Sequence, residues 1–276
     1  TEGGDGLPLI VMLHGCGQSP EDFATGTQMN ARAEEQGFLV AYPAQARNAN
    51  GSNCWNWFDA ENHAREGAEP SLIAEMVRQL AAEYRVDRRR VFVAGLSAGA
   101  AMAVILGETY PDLFAAVGAH SGLPYAAAHD VASAYAAMNG GNAFAGMSHL
   151  GAKRRMRRPP AAMPTNAVPT IVFHGDADTT VHACNGDEIA AQAAHAAHAN
   201  RSHRAPLRCL VQRDGAHGGR ALERTTLTDA DGRPLMEQWL VRGAGHAWSG
   251  GSRAGSFTDP VGPDASGEMV RFFLAQ

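Results

Sequence analysis

The chain has 276 residues, of which 45% are hydrophobic and 18% charged, and its formal net charge at pH 7 is -5. This length and composition suit one large globular domain or two small ones, with a core large enough to be stable without disulfide bonds. The acidic balance argues against a nucleic-acid partner. No apolar stretch approaches the roughly 20 residues needed to span a bilayer, so we expect no membrane partner. The one basic cluster, residues 153–158, runs into two prolines and is expected to be a solvated loop.

Short apolar runs recur along the chain and predict buried strands at residues 8–13, 38–42, 91–94, 113–118, 170–173 and 236–241. Helical patterns lie between several of them, at residues 71–84, 187–199 and 264–273. In the first of these helices Pro70 suits the first turn, and five residues form one apolar stripe: Leu72, Ile73, Met76, Val77 and Leu80. Unbroken apolar strands that alternate with helices predict an α/β fold, with a parallel sheet covered on both faces.

Two other segments depart from this alternation. A turn signal at residues 229–232 separates two extended runs, 221–228 and 234–241, and predicts one late hairpin at a sheet edge. Residues 123–169 contain five prolines and fit no regular element well. A long irregular insertion between two strands of a sheet is typical of a lid or binding loop, so we expect a cap over the site. The chain as a whole, residues 1–276, is expected to form a single catalytic domain.

The four cysteines are Cys16, Cys54, Cys184 and Cys209, and none belongs to a C-x-x-C pair. Their spacing therefore predicts neither a zinc site nor a redox site, and we expect no metal and no cofactor. Their even number favours disulfides and an oxidising location, secreted or periplasmic. The pairing with the shortest loops joins Cys16 to Cys54 and Cys184 to Cys209, and four free thiols are the alternative. The chain begins at Thr1 without a methionine or a signal peptide, so we expect it to lack residues that once preceded it.

A sharp turn at residues 95–99, Gly-Leu-Ser-Ala-Gly, joins the third predicted strand to an Ala-rich helical run. Glycine on either side of the apex allows strand and helix to approach closely, because a Cβ there would meet a neighbour. This is the G-x-S-x-G nucleophile elbow, which holds its serine outward in a strained conformation. The helix that begins after Ser97 directs free N–H groups toward it. Ser97 is therefore the predicted nucleophile, and an incidental turn serine is the alternative.

A nucleophilic serine needs a base, and the base needs an orienting acid. In a parallel α/β sheet all three should lie beyond the carboxyl ends of strands. Asp176 and Asp178 both follow the fifth predicted strand; we favour Asp178, since a turn aspartate such as Asp176 commonly bonds local backbone N–H groups. His246 follows the last predicted strand after two glycines and is the predicted base. The resulting order Ser, Asp, His is that of an α/β-hydrolase.

Three further histidines also end predicted strands. His14 and His174 are expected to bond nearby loop backbone, and His120 lies out of order for a base.

An oxyanion hole needs two backbone N–H donors. Ala98, next after the nucleophile, should supply one. The Cys16 N–H should supply the other, because Gly15 and Gly17 permit close backbone approach in the loop after the first strand.

The tryptophans Trp55, Trp57 and Trp248 lie next to these predicted site segments, and both core packing and lining of a substrate pocket are open for them.

Five segments, LHGCGQ, CWNWF, GLSAGAAMA, HGDADTTVH and GAGHAWSGG, occur in this order in the chain. Together they resemble the poly(3-hydroxybutyrate) depolymerase-type esterases, which are related to feruloyl and acetylxylan esterases, over residues 8–274. The resemblance implies an α/β-hydrolase fold, serine esterase chemistry with Ser97, Asp178 and His246 as the triad, and the Cys16 N–H in the oxyanion hole. Many such depolymerases carry a separate polymer-binding domain, which we do not expect in a chain that ends at Gln276.

Three functions follow as hypotheses. The first is a serine esterase acting on poly(3-hydroxybutyrate) or its oligomers. The second is a feruloyl- or acetylxylan-type esterase acting on plant polysaccharide esters. The third is a hydrolase fold that binds without catalysis, against which the intact set of serine, acid and base argues. The oligomeric state is left open.

Overall fold

The computed structural model describes residues 6–141, 165–166, 168–199, 206–215 and 219–276. The strands are β1 (Leu7–Leu13), β2 (Leu39–Ala41), β3 (Val86–Leu96), β4 (Ala116–His120), β5 (Thr170–Gly175), β6 (Arg208–Asp214), β7 (Leu222–Thr228), β8 (Pro234–Val241), β9 (Trp248–Ser249) and β10 (Thr258–Asp259). The helices are α1 (Pro20–Thr27), α2 (Met29–Gln36), α3 (Ala68–Glu83), α4 (Ala98–Thr109), α5 (Val131–Met138), α6 (Cys184–Ala199) and α7 (Ala265–Leu274), with a short 3-10 helix at Ala60–His63. No helix among these residues is long and apolar enough to cross a membrane.

Eight strands form one sheet in the order β2-β1-β3-β4-β5-β8-β7-β6. The first six strands in this order, β2 to β8, are parallel to one another. β7 is antiparallel to β8, and β6 is antiparallel to β7. The predicted α/β fold is therefore confirmed. The carboxyl ends of β3, β4, β5 and β8 lie side by side, which brings the loops that follow them to one edge of the sheet.

Helices cover both faces of this sheet. Alternate residues of β1 point to opposite sides: Leu9 and Val11 pack with α3 and α4, whereas Ile10 and Met12 pack with α7. All four are at most 2% exposed. Burial on both faces explains why the strands read as unbroken apolar runs.

The elements differ from the sequence prediction in several places. β3 begins at Val86, ahead of the predicted run, and α1 and α2 lie between β1 and β2, where no helix is predicted. The apolar stripe predicted on α3 is only partly buried. Ile73 and Val77 are 1% exposed, but Leu72 is 64% and Met76 39% exposed. The helix is rotated so that Ala74, and not Leu72, lies beside Ile73 in the core.

The predicted hairpin is present as β7 and β8, joined in antiparallel register. It does not form the edge of the sheet, because β6 pairs outside β7. Every residue of β6 is exposed, so the strand has no apolar face from which it could be predicted.

In the described part of the insertion at residues 123–169, a helix, α5, lies where the sequence predicts no regular element. α5 begins with a capping box, in which the Asp130 carboxylate accepts from the Ser133 N–H at 2.7 Å and the Ser133 hydroxyl faces the Asp130 backbone N–H. About half of the predicted cap, residues 142–164 and 167, lies outside the described residues, as does the basic cluster.

The disulfide prediction is confirmed for one pair and wrong for the other. Cys16 and Cys54 are bonded. Cys184 and Cys209 are not bonded to each other. Cys184 begins α6 at the carboxyl end of the sheet, whereas Cys209 lies near the start of β6 after the helix has returned. The 16 residues of α6 separate these positions by about 24 Å, far beyond the reach of a disulfide.

Candidate active site

The elbow at the end of β3 holds Ser97 in a conformation that L residues rarely adopt, with φ 59° and ψ -119°. Its flanking glycines are required by close packing. A Cβ at Gly99 would lie 2.1 Å from the carbonyl oxygen of Leu13, and one at Gly95 would lie 2.4 Å from the Gly99 backbone. Ser97 therefore stands between the end of its strand and the first turn of α4.

Asp178 and His246 form a hydrogen-bonded pair. Their Oδ2 and Nδ1 atoms are 2.7 Å apart, and the two side chains are 0% and 11% exposed. The other carboxylate oxygen accepts from the N–H groups of Thr180 and Val181, each at 2.9 Å. Burial opposes ionisation of Asp178, but hydrogen bonds from His174 and His246 and from the Val181 N–H outweigh it and hold its pKa well below its ordinary value. The pair has the arrangement of a base oriented by a charged acid.

Asp176 is used differently. Its carboxylate accepts from the Gly243 N–H at 2.6 Å and from Arg242 at 3.1 Å, on the partly exposed side of the loop. These contacts hold the loop after β8 against the loop after β5. The acid that the structure brings to His246 is Asp178.

Two buried histidines flank this pair. His174 Nε2 lies 2.8 Å from the Val181 carbonyl oxygen and 3.5 Å from the Asp178 carboxylate, while its Nδ1 has no hydrogen-bond partner among the described residues. Nε2 is therefore the protonated nitrogen, because both of its neighbours are acceptors. His174 supports the acid and the loop that carries it.

His120 connects the segments of the nucleophile and the base. Its carbonyl oxygen accepts the Ser97 N–H at 2.9 Å, and its ring Nε2 accepts the Ser249 N–H at 3.0 Å, three residues after His246. The ring lies between Phe173 and Trp248, with centroids 5.7 and 5.1 Å away. Burial, with smaller contributions from His174 and His246, lowers the pKa of His120 to about 3, so the ring stays neutral and its Nε2 lone pair remains available.

The loop after β1 faces the nucleophile. A Cβ at Gly15 would lie 3.6 Å from the Ser97 Cβ. The Gly15 N–H donates to Gln18 Oε1 at 2.9 Å, and the Gly17 N–H donates to the Ser52 carbonyl oxygen at 2.8 Å. The Cys16 N–H between them has no acceptor among the described residues. The Ala98 N–H likewise has no acceptor among these residues, because the first-turn donors of a helix have no intrahelical acceptor. A role for these two N–H groups in an oxyanion hole stays a prediction.

The three predicted pocket tryptophans are buried: Trp55, Trp57 and Trp248 are 3%, 5% and 1% exposed. Trp55 Nε1 donates to the His14 carbonyl oxygen at 3.1 Å, behind the oxyanion loop, and Trp248 Nε1 donates to Ser266 at 3.0 Å. These contacts are those of packed core residues, and a substrate-lining role for the three remains a prediction.

Gln18 and Glu69 hold the site loops and were not singled out in the sequence. Gln18 joins the oxyanion loop to Ser256, 238 positions away, through Nε2 at 3.2 Å. Glu69 accepts from the Asn56 backbone at 2.7 Å, and so fixes the segment between two of the tryptophans. The only local signal was a glutamine directly after Gly-Cys-Gly; the partners lie too far along the chain to be read from a motif.

Among the described residues, no group of three or more His, Cys, Asp or Glu side chains is arranged so that it could hold a metal ion.

The family model described as esterase PHB depolymerase matches residues 3–202 of this chain. The chain belongs to the PHB depolymerase esterase family. A poly(3-hydroxyalkanoate) depolymerase C of Paucimonas lemoignei is 30% identical over 251 residues, which cover 87% of this chain and 54% of the relative. A feruloyl esterase B of Neurospora crassa is 37% identical over 127 residues, which cover 46% of this chain and 42% of the relative. The chain therefore spans about half the length of the curated relatives that it matches.

Solved structures of esterases share the fold of this family member. An acetyl xylan esterase from Aspergillus awamori matches with a TM-score of 0.67 at 19% identity, covering 100% of this chain and 91% of that one. Esterase PE8 matches with a TM-score of 0.53 at 17% identity, covering 98% and 92%. At these identities the matches support the fold alone, which is the α/β-hydrolase fold that the elbow predicts.

Proposed function

We propose that this chain is a serine esterase that cleaves carboxylic esters through an acyl-enzyme, with Ser97 as nucleophile, His246 as base and Asp178 as the orienting acid. The observation that carries the proposal is the Asp178–His246 hydrogen bond of 2.7 Å, formed by two loops at the same sheet edge as a strained, outward serine.

The chemistry follows from the proton positions. Asp178 is a carboxylate, so it accepts a hydrogen bond and fixes the proton of neutral His246 on Nδ1. The lone pair of Nε2 is then free to take the proton of Ser97 as its oxygen attacks the ester carbonyl. His246 returns that proton to the departing alcohol, which leaves an acyl group on Ser97. A water molecule that gives its proton to the same histidine then attacks the acyl carbonyl. The bond between the acyl carbon and the Ser97 oxygen breaks, His246 returns the proton to that oxygen, and the carboxylic acid is released.

The negative charge that develops on the carbonyl oxygen requires donors fixed in advance. The N–H groups of Cys16 and Ala98 fill this role in the proposal. The Cys16–Cys54 bond, the Gly17–Ser52 hydrogen bond and the Gln18 side chain hold the first of them in place. Removal of one donor from an oxyanion hole costs about 10²–10³-fold in kcat.

Within this chemistry we propose poly(3-hydroxybutyrate) or its oligomers as the substrate. The support is the extent of similarity: the depolymerase relative aligns with 87% of the chain, whereas seven feruloyl or acetylxylan esterase relatives align with 39–67%. Feruloyl or acetylxylan esters are the second candidate, favoured by the 37% identity of the feruloyl esterase relative over the 127 residues that it matches. The disulfide supports an oxidising location, secreted or periplasmic.

One substrate panel tests these proposals together. Purified protein is assayed with p-nitrophenyl butyrate, a hydroxybutyrate oligomer, methyl ferulate and acetylated xylan, with Ser97→Ala as the matched control. We expect the wild type to hydrolyse p-nitrophenyl butyrate and the hydroxybutyrate oligomer, and Ser97→Ala to hydrolyse neither. Cleavage of methyl ferulate or acetylated xylan without action on the oligomer would select the second candidate, and no hydrolysis of any ester would leave the binding module.

A further inference from the structure

The two edges of the main sheet are unequal. The edge strand β2 has three residues, and a short edge offers little backbone for pairing with another chain. The other edge strand, β6, has seven residues, and every one of them is exposed. It contains no proline, and residues 209–212, Cys-Leu-Val-Gln, include no charged side chain. These are the features of an edge that is not protected against pairing.

The side chains of β6 are apolar where the backbone is open. Leu210 is 57% exposed and Val211 is 47% exposed, on opposite faces of the strand because side chains alternate. Exposure on both faces means that no helix of the described structure covers this end of the sheet.

The charges of β6 are arranged so that the strand complements itself. When two copies pair antiparallel about a two-fold axis at Val211, each Arg208 stands directly opposite Asp214 of the other copy. Val211 faces its own copy, and Leu210 faces Gln212. If the two-fold axis lay one residue away, at Leu210 or at Gln212, Arg208 would face Gln212 or Asp214 would face Leu210, and the charges would be unmatched. Opposite charges directly across a strand pair are stabilising, and like charges are destabilising.

The charges of Arg208 and Asp214 are available for this pairing. Arg213 is paired with Glu223 of β7 at 2.7 Å, but Arg208 and Asp214 have no ion-pair partner in the described part of the chain. From the open edge, its apolar centre and its self-complementary ends, we infer that β6 is the interface of a symmetric homodimer. Two eight-stranded sheets would then join into one continuous sheet, with an isologous contact.

Charge reversal tests this pairing in the full chain. Arg208→Asp and Asp214→Arg each place like charges at two positions of the interface, and the double variant restores both pairs with reversed sign. Sedimentation or light scattering should show a concentration-dependent dimer for the wild type and the double variant, and a weaker one for each single variant. Circular dichroism melting curves check that all four proteins are folded, and no result depends on esterase activity.

Cysteine crosslinking fixes the register. In a Cys209→Ser background, Val211→Cys places two thiols on the axis, where Cα atoms of facing residues are about 4.5–5.5 Å apart and can be bridged. Leu210→Cys is the matched control, because its two copies would lie two residues out of register, at about 8 Å. Mild oxidation should crosslink the first variant and not the second. A wild-type protein that stays monomeric up to about 100 µM, single reversals that leave the dimer unchanged, or equal crosslinking of both cysteine variants would each overturn the inference.

Discussion

Replacing both cysteines of the Cys16–Cys54 bond with serine tests how the oxyanion loop is held. The bond closes a segment with a sequence separation of 38 and ties the loop after β1 to the segment that carries Trp55. Both cysteines are partly exposed, so serine introduces no buried polar group. The variant removes the covalent tie while the Gly15–Gln18 and Gly17–Ser52 hydrogen bonds remain.

The chain-entropy relation for a loop of this length gives a stabilisation of about 3.9 kcal/mol at 25 °C. A chain of 276 residues has an unfolding entropy of about 0.58 kcal/mol/K. The quotient is a fall in Tm of about 7 °C for Cys16→Ser/Cys54→Ser. Because the Cys16 N–H is a proposed oxyanion donor, kcat should fall by about tenfold or more, up to the 10²–10³-fold that complete loss of one donor costs.

Calorimetry and kinetics with p-nitrophenyl butyrate measure both effects. Cys209→Ser is the matched control, because Cys209 is exposed and outside this disulfide, and its Tm and kcat should equal those of the wild type. Treatment of the wild type with a reductant should reproduce the double variant. A double variant whose Tm falls by less than about 1 °C and whose kcat is unchanged would refute the reasoning.

Three further predictions concern the residues around the site. Asp178→Asn should lower kcat by up to about 10⁴-fold, because the amide favours the wrong tautomer of His246. Asp176→Asn should mainly lower Tm. A larger fall in kcat for Asp176→Asn than for Asp178→Asn would show that the acid is misassigned. The pKa of His120 is about 3 in the folded protein and about 6.5 in the unfolded chain. Below pH 6.5 the unfolded chain therefore binds a proton at His120 that the folded protein does not bind. This difference should lower the free energy of unfolding by about 1.4 kcal/mol for each pH unit below 6.5. Urea titrations at pH 7 and 5 should therefore show a shallower loss for His120→Gln, and identical losses would argue against a neutral buried ring. Trp248→Ala should lower the free energy of unfolding by about 3–5 kcal/mol because the indole is buried. As a predicted pocket residue, its loss should also reduce turnover of hydroxybutyrate oligomers more than turnover of acetate esters; an equal reduction for both substrates would assign the indole to the core alone.

The features that could be predicted from the sequence are those encoded over a few neighbouring residues. The elbow around Ser97 combines glycine spacing, a preceding apolar run and a following helix, and all three lie within about 20 residues of one another. Asp178 could be preferred over Asp176 because it lies two residues further beyond the strand end, and this distance changes which partners its carboxylate can reach. The strands that are buried on both faces could also be predicted, because each is a continuous run of apolar residues.

The features that could not be predicted depend on contacts between distant segments. The links from Gln18 to Ser256 and from His120 to Ser249 join loops that only the completed sheet brings together. The pairing of Cys184 with Cys209 was wrong because loop length was considered without the direction of α6. β6 was missed because none of its residues is buried in the folded chain.

Covalent labelling of Ser97 tests the proposed chemistry most directly. The protein is treated with a phosphonate ester inhibitor, digested, and analysed by mass spectrometry, with hydrolysis of p-nitrophenyl butyrate followed in parallel. The account predicts one phosphonylated serine, Ser97, with activity lost in proportion to labelling, and neither labelling nor activity in Ser97→Ala. Hydrolysis near the wild-type rate by Ser97→Ala, or inactivation with the label on another residue, would contradict it.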